Sequence, residues 1–361
     1  MEPVLRHGRS IWDQALLPAD EFLARAVAVR SLAHDVGAES LLLVGDPHEP
    51  ANLSYLTNFP PTTKWAMLVL GPGEEAAMIA GLGGGRDHAY IRSVSTVHDL
   101  YYFTDPGAGI SELLESWGVT SGPVAVAGLA TRLPLSDYAK ITGALASVDL
   151  VDIGDAYDRL RRHKRPREIA VMKKGHGVLA AACAKGRVVY ARSGDAGHAI
   201  CAVETEARRM GCHDVRSFVS DGHGSLGPYR GGSLRRPTPT SFVFAGEYLG
   251  YWSQISFTVP WGSITKGADP RPALARAIAN LGLTAVPDGS SLLAGPSNES
   301  EPGRVAVKSI GLSLEESWSE PILGDVVVVT AWSDSDGCAV LASEEVVLGN
   351  RGPTPLEEVE P

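Results

Sequence analysis

A basic run closed by a proline divides the chain into two parts of different character. The run covers 159–167 (R-L-R-R-H-K-R-P-R), and Pro166 suits the first turn of a helix. Helix and strand patterns alternate before it, whereas short β-rich segments dominate the later part. The chain has 361 residues, and a domain averages about 150. We therefore expect two domains, 1–155 and 156–350, and a partly ordered tail at 351–361.

The first part has the pattern of a small α/β domain. Residues 19–36 carry apolar side chains at helical spacing, and Gly37 follows as a stop signal. A second helix is predicted near 110–117. Short apolar runs bounded by turn residues predict strands at 41–44, 66–70, 76–80 and 124–126.

The second part begins with helices and continues mainly as strands. An alanine-rich helix is predicted over 168–192, and a second helix over 196–209. The strands that follow are interrupted by one helix at 272–280. They are predicted at 241–248, 251–259, 326–331 and 339–348.

Charge and cysteine usage exclude several classes of function. The net charge is −10 with a pI near 5.5, which argues against a nucleic-acid partner. We interpret the basic run as a solvated helix start. The four cysteines form no C-x-x-C pair, so no zinc knuckle is indicated. The first residues lack the apolar region of a signal peptide, and no apolar run is long enough to span a membrane. We expect a cytoplasmic protein without membrane contact or cofactor.

Three segments resemble one family. Ser54–Phe59 (S-Y-L-T-N-F) looks like a Y-L-T-G-F segment, and 159–172 resembles the linker motif L-R-x-x-K-s-x-x-E-I. Gly250–Thr258 (G-Y-W-S-Q-I-S-F-T) resembles the strand G-Y-x-s-D-i-t-R-T. The family is that of creatinase, aminopeptidase P and prolidase. The resemblance implies an α/β creatinase-type domain followed by an α+β pita-bread domain with a curved antiparallel sheet.

The resemblance also implies where a metal pair would bind. Peptidases of this family hold two divalent ions through two Asp, one His and two Glu. The matching positions here are Val243, Gln254, Lys308, Trp332 and Glu344. Hard divalent cations need several oxygen ligands, so we expect a site without metal. Lys308 and Glu344 are predicted to form a charge pair in place of the cation.

Creatinase itself has the same fold and works without metal, using a pocket histidine as acid and base. Its segment, s-G-x-N-x-x-x-P-H, matches 221–229 here, which places Tyr229 at the histidine position. We predict Tyr229 as a proton donor whose pKa is lowered by Lys308 or Arg230. His223, on the same glycine-rich segment, is predicted as a substitute base.

The remaining site predictions concern substrate contacts and assembly. Related enzymes place an arginine or aromatic residue after the Y-L-T-G-F segment, where it reaches the partner subunit's pocket. Lys64 and Trp65 follow that segment here, so a homodimer is expected. The catalytic set is Tyr229, His223, Lys308 and Glu344, and the substrate-binding set is Gln254, Tyr251, Trp332, Arg230, Lys64 and Trp65.

Three functions are compatible with these residues. The first is a metal-independent creatinase-like enzyme acting on a small polar amide, amidine or amino-acid-like substrate. It would hydrolyse a C–N bond or catalyse an elimination or cyclisation by acid–base chemistry. The second is a non-catalytic binding protein on the same fold. The third is an Xaa-Pro metallopeptidase whose ligands lie elsewhere in the sequence, which the metal content of the protein distinguishes from the others.

Overall fold

A computed structural model describes most of the chain. The described residues are 11–62, 64–80, 88–220, 226–234, 239–259, 269–281, 304–314, 316, 322–335 and 338–359. The chain divides into two compact units between Arg161 and Arg162. The predicted boundary at 155 lies within a helix that runs from Gly154 to Arg162.

Unit 1 alternates helices and strands. Its elements are α1 (Ala19–Asp35), β1 (Ser40–Gly45), α2 (Ala51–Thr57), β2 (Ala66–Leu70), β3 (Ala76–Ala80), α3 (His88–Val94), β4 (Leu100–Tyr101), α4 (Pro106–Ser116), β5 (Gly122–Ala127), α5 (Leu129–Arg132), α6 (Leu135–Ala144), β6 (Val148–Asp152) and α7 (Gly154–Arg162), whose last residue begins unit 2.

The described strands of unit 1 form one mixed sheet in the order β4-β3-β2-β1-β5-β6. The pairs β1–β2 and β2–β3 are antiparallel, whereas β1–β5, β5–β6 and β3–β4 are parallel. Valines and leucines of β1, β2 and β5 form a buried core with Ile110 and Leu114 of α4. The predicted helices and strands of this unit are confirmed. Gly37 ends α1 with a φ of 77°, a conformation that glycine adopts readily.

The Y-L-T-N-F segment is helical and buried. It forms α2, and every residue of α2 is buried. Asn58 ends the helix in the left-handed conformation, with a φ of 60°. Its side-chain amide donates to the carbonyl of Val94 at 2.8 Å. Asparagine tolerates this conformation because its short polar side chain bonds locally.

Unit 2 is an α+β structure. Its elements are α8 (Pro166–Ser193), α9 (Ala196–Arg209), β7 (Cys212–Ser220), β8 (Leu226–Pro228), β9 (Thr240–Tyr248), β10 (Tyr251–Val259), α10 (Arg271–Asn280), β11 (Arg304–Ser309), β12 (Val326–Ser335), β13 (Cys338–Gly349), β14 (Gly352–Pro355) and a 3-10 turn at Leu356–Glu358.

The described strands of unit 2 form two antiparallel four-stranded sheets. Their orders are β10-β9-β7-β8 and β11-β12-β13-β14. Helix α8 packs on β9 and β10, where Gly175 lies so close to Tyr248 that a Cβ would be 2.9 Å from the tyrosine Cβ. Helix α10 packs on the second sheet through Ala273, Leu274, Val307 and Val329. Residues 352–355, assigned to a tail from the sequence, instead add strand β14 to β13.

Three charged residues of the basic run, Arg161, Arg162 and Lys164, are buried, so its interpretation as a solvated helix start is wrong for these residues. The guanidinium of Arg162 donates to Asp325 at 2.6 Å, and the ammonium of Lys164 donates to Glu316 at 2.6 Å. All four side chains are buried. Ser309 donates to Asp325 at 2.5 Å. Pro166 then begins α8, so the run fixes the start of unit 2 through two buried ion pairs.

Candidate functional site

The two sheets of unit 2 meet where β10 runs beside β13 without a backbone ladder. The backbone N–H of Gln254 donates to Glu345 Oε1 at 2.5 Å, and that of Ser256 donates to Ser343 Oγ at 2.8 Å. Further along, the N–H of Leu341 donates to Thr258 Oγ1 at 2.8 Å. These contacts join alternate residues of two antiparallel strands through side chains. We call this set of six residues the seam.

The sequence of β10 explains why polar groups collect there. Alternate residues of a strand point to opposite faces. Ile255 and Phe257 lie on one face with Tyr251, and Gln254, Ser256 and Thr258 lie on the other. The hairpin that precedes them turns at Leu249 and Gly250, with φ values of 48° and 87°. Two consecutive positive φ values are those of the tight turn that sets a hairpin register.

Three buried polar atoms in the seam or next to it have no hydrogen-bond partner. They are Gln254 Nε2, Ser256 Oγ and Thr330 Oγ1, and their residues are at most 5% exposed. Thr330 of β12 lies opposite Ser343 in the β12–β13 ladder, so it borders the seam. An unpaired buried polar group costs about 1–3 kcal/mol, and such groups commonly mark a site for water or ligand.

A histidine–carboxylate pair links helix α8 to the seam through Glu345. His176 of α8 contacts Glu345 Oε2 through Nδ1 at 2.9 Å, while Glu345 Oε1 accepts from Gln254. Burial alone lowers the pKa of His176. The hydrogen bond to Glu345, together with the charges of Glu345, Glu357 and Glu344, outweighs burial and raises that pKa above its ordinary value. Glu345 therefore favours the protonated imidazole.

This pair predicts a loss of stability in mild alkali. Because the folded-state pKa of His176 is raised, its stabilising contribution is fully present below the unfolded value of about 6.5. That contribution is lost as the pH rises through the folded-state pKa. Urea unfolding between pH 5.5 and 8.5 measures this loss. His176→Gln should flatten the pH dependence, whereas His198→Gln on the exposed side of α9 should leave it unchanged.

Three of the predicted site residues lie in the seam or on the face of the second sheet that borders it. They are Gln254, Lys308 and Trp332. Gln254 is a seam residue. Lys308 faces Val328 across the β11–β12 ladder, and Val328 in turn faces Glu345, so Lys308 and Glu345 share a face. Trp332 faces the seam residue Leu341. Lys308 and Trp332 are each half-buried.

Glu344 does not join them, which contradicts the predicted Lys308–Glu344 pair. It faces Val329, which faces Val307, and both valines belong to the core under α10. Adjacent strand residues point to opposite faces, so Glu345 occupies the place predicted for Glu344. Burial, together with the nearby carboxylates of Glu357 and Glu358, raises the pKa of Glu344.

Tyr251 is a packing residue, so its predicted role in substrate binding is wrong. Its hydroxyl donates to Glu168 Oε1 at 3.0 Å, and the side chain is fully buried. Glu168 Oε2 accepts from the backbone N–H of Arg165 at 3.1 Å. Tyr251 therefore secures the first turn of α8, on the face of β10 opposite Gln254.

Tyr229 and Arg230 lie away from the seam. The hydroxyl of Tyr229 donates to the carbonyl of Gly232 at 2.7 Å and lies 3.9 Å from Cys201 Sγ of α9. Burial and the contact with Cys201 raise the pKa of Tyr229, whereas the sequence analysis expected it to be lowered. Arg230 is exposed. His223, the predicted substitute base, lies outside the described residues.

Lys64 and Trp65 belong to unit 1, and only the lysine is exposed. Trp65 is 6% exposed and packs in the core of that unit. Its indole N–H donates to Asp137 Oδ2 at 2.8 Å. A core tryptophan is not available to a second subunit, so the predicted role of Trp65 in a partner's pocket is contradicted.

The sequence analysis missed His176, Glu345, Ser256 and Thr330. A signal for His176 was present, since the segment K-K-G-H-G places a histidine between two glycines inside a long helix. Glycine in a helix interior costs about 1 kcal/mol relative to alanine, so it indicates a close approach. Ser256 and Thr330 carry no local signal, because only the meeting of two sheets brings them together.

Metal-ligating groups are sparse in the part of the chain that the structure describes. No cluster of three or more His, Cys, Asp or Glu side chains there is arranged to hold a metal ion. Val243, at the position of the first family aspartate, is a buried apolar residue facing Ser256. Among the described helices, none has the length and apolar character needed to cross a membrane.

Comparison with known proteins gives matches in structure alone. No protein-family model matches the chain, and no curated protein sequence matches it. X-Pro aminopeptidase from Thermotoga maritima matches with a TM-score of 0.72 at 15% identity, covering 93% of this chain and 98% of that one. Prolidase from Pyrococcus furiosus gives 0.64 at 13%, covering 93% and 100%. A histidine-to-alanine variant of Escherichia coli aminopeptidase P gives 0.66 at 13%, covering 94% and 95%.

These matches confirm the predicted fold class, a creatinase-type α/β domain followed by an α+β pita-bread domain. At 13 to 15% identity the likeness concerns the fold. A shared fold does not determine function, because function depends on the residues of the site that the fold carries.

Proposed function

We propose that this chain is a metal-independent enzyme that cleaves a C–N bond in a small polar substrate at the seam. Solved structures of the same fold are named as an aminopeptidase and a prolidase, which supports hydrolysis of amide-type bonds. The observation that carries the proposal is the Glu345–His176 pair, whose carboxylate also accepts from the backbone N–H of Gln254, together with the unpartnered polar atoms of Gln254, Ser256 and Thr330.

The pair supplies acid–base chemistry. Glu345 holds Nδ1 of His176 at 2.9 Å, so the other ring nitrogen is left to give or take a proton. Glu345 raises the pKa of His176 and so favours the protonated imidazole, the form that a general acid requires. We assign proton transfer to His176 and its positioning to Glu345. Lys308 and Trp332 are proposed to contact the substrate.

The side chains at the family's metal positions support a reaction without a metal pair. Valine at 243 offers no ligand atom, and Gln254 offers a neutral amide oxygen. A dinuclear site needs bridging anionic oxygens. Lys308 adds a positive charge to the face that Glu345 occupies. A homodimer and a cytoplasmic location remain predictions from the sequence.

Purified protein is expected to hold no stoichiometric manganese, cobalt or zinc, and EDTA should leave its melting temperature unchanged. The reason is the ligand-poor set Val243, Gln254 and Lys308. Elemental analysis and thermal unfolding with and without EDTA measure this. Two metal ions per chain would show that the ligands lie elsewhere and would restore the metallopeptidase hypothesis.

The enzymatic proposal is tested with a panel of small amides, amidines and Xaa-Pro dipeptides in the presence of EDTA, with released amine as the readout. Loss of a positioned acid–base group costs roughly 10²–10⁴-fold in rate, so His176→Asn should abolish release. His198→Asn, an exposed histidine on α9, should retain it. Release that survives His176→Asn would remove the assigned role.

A binding protein without turnover is a second candidate. Both carboxylate oxygens of Glu345 are already engaged, one by the Gln254 N–H and the other by His176. This arrangement favours a structural role for Glu345, which would hold α8 and β10 to β13. The same panel separates the two functions, since a binding protein would retain a ligand and release no amine.

A further inference from the structure

We infer that Glu316 is a positioning residue, which sets where the start of β10 and the end of β11 lie beside the seam. The inference rests on the proposed function for its catalytic meaning, since the residues that Glu316 places are those assigned to proton transfer and substrate contact. It is carried by a series of hydrogen bonds that leads from a buried ion pair to the backbone of β10.

Glu316 closes a turn after β11. Its backbone N–H donates to the carbonyl of Ser309 at 3.1 Å, and its Oε1 accepts from the backbone N–H of Leu312 at 3.2 Å. Its other oxygen, Oε2, accepts from the ammonium of Lys164 at 2.6 Å. The residue is 7% exposed. One buried carboxylate therefore joins the basic run to the turn at 310–313.

Gly311 of this turn lies directly against the ion pair. A Cβ at Gly311 would be 2.5 Å from Glu316 Oε1 and 2.5 Å from Lys164 Cε, closer than non-bonded atoms approach. Glycine permits such a close approach because it has no side chain. The position of the Gly311 backbone is therefore set by the two charged side chains that it contacts.

The Gly311 carbonyl connects the turn to β10. It accepts from the backbone N–H of Trp252 at 2.7 Å. Gln254 follows two residues later on the same face of the strand, and its N–H donates to Glu345 Oε1 at 2.5 Å. Glu345 in turn holds His176. A shift of the turn therefore moves the donor that orients the proposed acid–base pair.

The same turn fixes the end of β11. Ser309 forms an antiparallel bridge with Glu316, and the N–H of Ile310 donates to the carbonyl of Val326 at 2.9 Å. Lys308 immediately precedes Ser309 in β11. The residue proposed to contact substrate is thus held next to the bridge that Glu316 makes.

The ion pair offers a control that separates positioning from stability. Lys164→Met removes the ammonium and keeps an unbranched side chain beside Gly311. Glu316 can still accept from the Leu312 N–H, since even a protonated carboxyl group retains an acceptor oxygen. Glu316→Ala removes the ion pair and the acceptor together. Both variants leave one member of a buried pair without its partner, which costs stability, but only Glu316→Ala releases the turn.

The test follows backbone amides of the full chain by heteronuclear NMR and hydrogen exchange at pH 7. The readout is the exchange rate of the Gln254 amide divided by that of the Leu341 amide, which lies at the far end of the seam. Global opening exposes both amides together and leaves this ratio unchanged. Glu316→Ala should raise the ratio by roughly five- to tenfold, the worth of one hydrogen bond, and shift the Gln254 amide resonance. Lys164→Met should leave the ratio at its wild-type value.

Gly311→Ala tests the same step without removing a charge. The added methyl group displaces Glu316 Oε1 from the Leu312 N–H, so the exchange ratio should rise as it does in Glu316→Ala. Because both partners of the ion pair remain, this variant decides the question if Glu316→Ala does not fold.

An unchanged ratio in Glu316→Ala or Gly311→Ala would overturn the inference, as would an equal rise in Lys164→Met. The amide readout requires no turnover, so it is separable from the proposed function. A raised ratio in a protein that releases no amine keeps the positioning role of Glu316 and removes the enzyme. Amine release by the wild type together with an unchanged ratio in the variants removes the role of Glu316 and keeps the enzyme.

Discussion

Asp325→Ala is expected to lower the free energy of unfolding by ~3–5 kcal/mol, because it leaves the buried guanidinium of Arg162 without its partner. Asp325 is fully buried and accepts from Arg162 at 2.6 Å and from Ser309 at 2.5 Å. Burial raises the pKa of Asp325 despite the nearby cations. Urea unfolding followed by circular dichroism measures the loss.

An exposed ion pair provides the control for Asp325. Asp269 pairs with Arg271 at 2.5 Å near the start of α10, and the arginine is well exposed. Asp269→Ala should stay within ~0.5 kcal/mol of wild type, because exposed pairs contribute little. The double variant Arg162→Met with Asp325→Leu should regain part of the loss, since the two residues are coupled. Equal losses from Asp325→Ala and Asp269→Ala would contradict burial of the first pair.

Two neighbouring glutamates on β13 are expected to differ sharply on replacement. Glu345→Ala should cost ~3 kcal/mol, because it leaves the buried Gln254 N–H unsatisfied and removes the carboxylate partner of the half-buried His176. Glu344→Ala should change stability by no more than ~0.5 kcal/mol, since Glu344 is half-buried near two other carboxylates. The two variants share a strand and a chemical change, so urea unfolding of both isolates the effect of position.

The reverse order of effects would place Glu344 in the seam and return it to the role predicted from the sequence. It would also require the β12–β13 register to shift by one residue, which would put Glu344 on the face that carries Lys308 and Trp332. The pair of variants therefore tests the assignment of the site as well as its energetics.

The local patterns of the chain predict its elements well. The bounds of β2, β3, α9 and β10 match those expected. Helix and strand periodicities depend only on residues that are close together in sequence, so they can be detected without knowing the tertiary structure. The family resemblance similarly anticipates the fold. Segment 54–59 is an exception, since a short, fully buried helix has no polar face to reveal its period.

The site was less predictable because it depends on contacts distant in sequence. Glu344 and Glu345 are chemically identical, and only the strand register decides which one enters the seam. Trp65 looks the same in the sequence whether it packs in a core or meets a partner. The charges of Arg162 and Lys164 indicate solvent exposure until Asp325 and Glu316 are brought beside them from over 150 residues away.

The side-chain link between β10 and β13 gives unit 2 an adjustable internal spacing. Strands in a ladder are held about 4.8 Å apart by their backbones, whereas the gap at the seam is set by a serine and a glutamate. Exchanging such a residue for a longer or shorter one would alter the width between two intact sheets. Selection can therefore resize this interior, and so change what it accommodates, without redesigning the framework on either side.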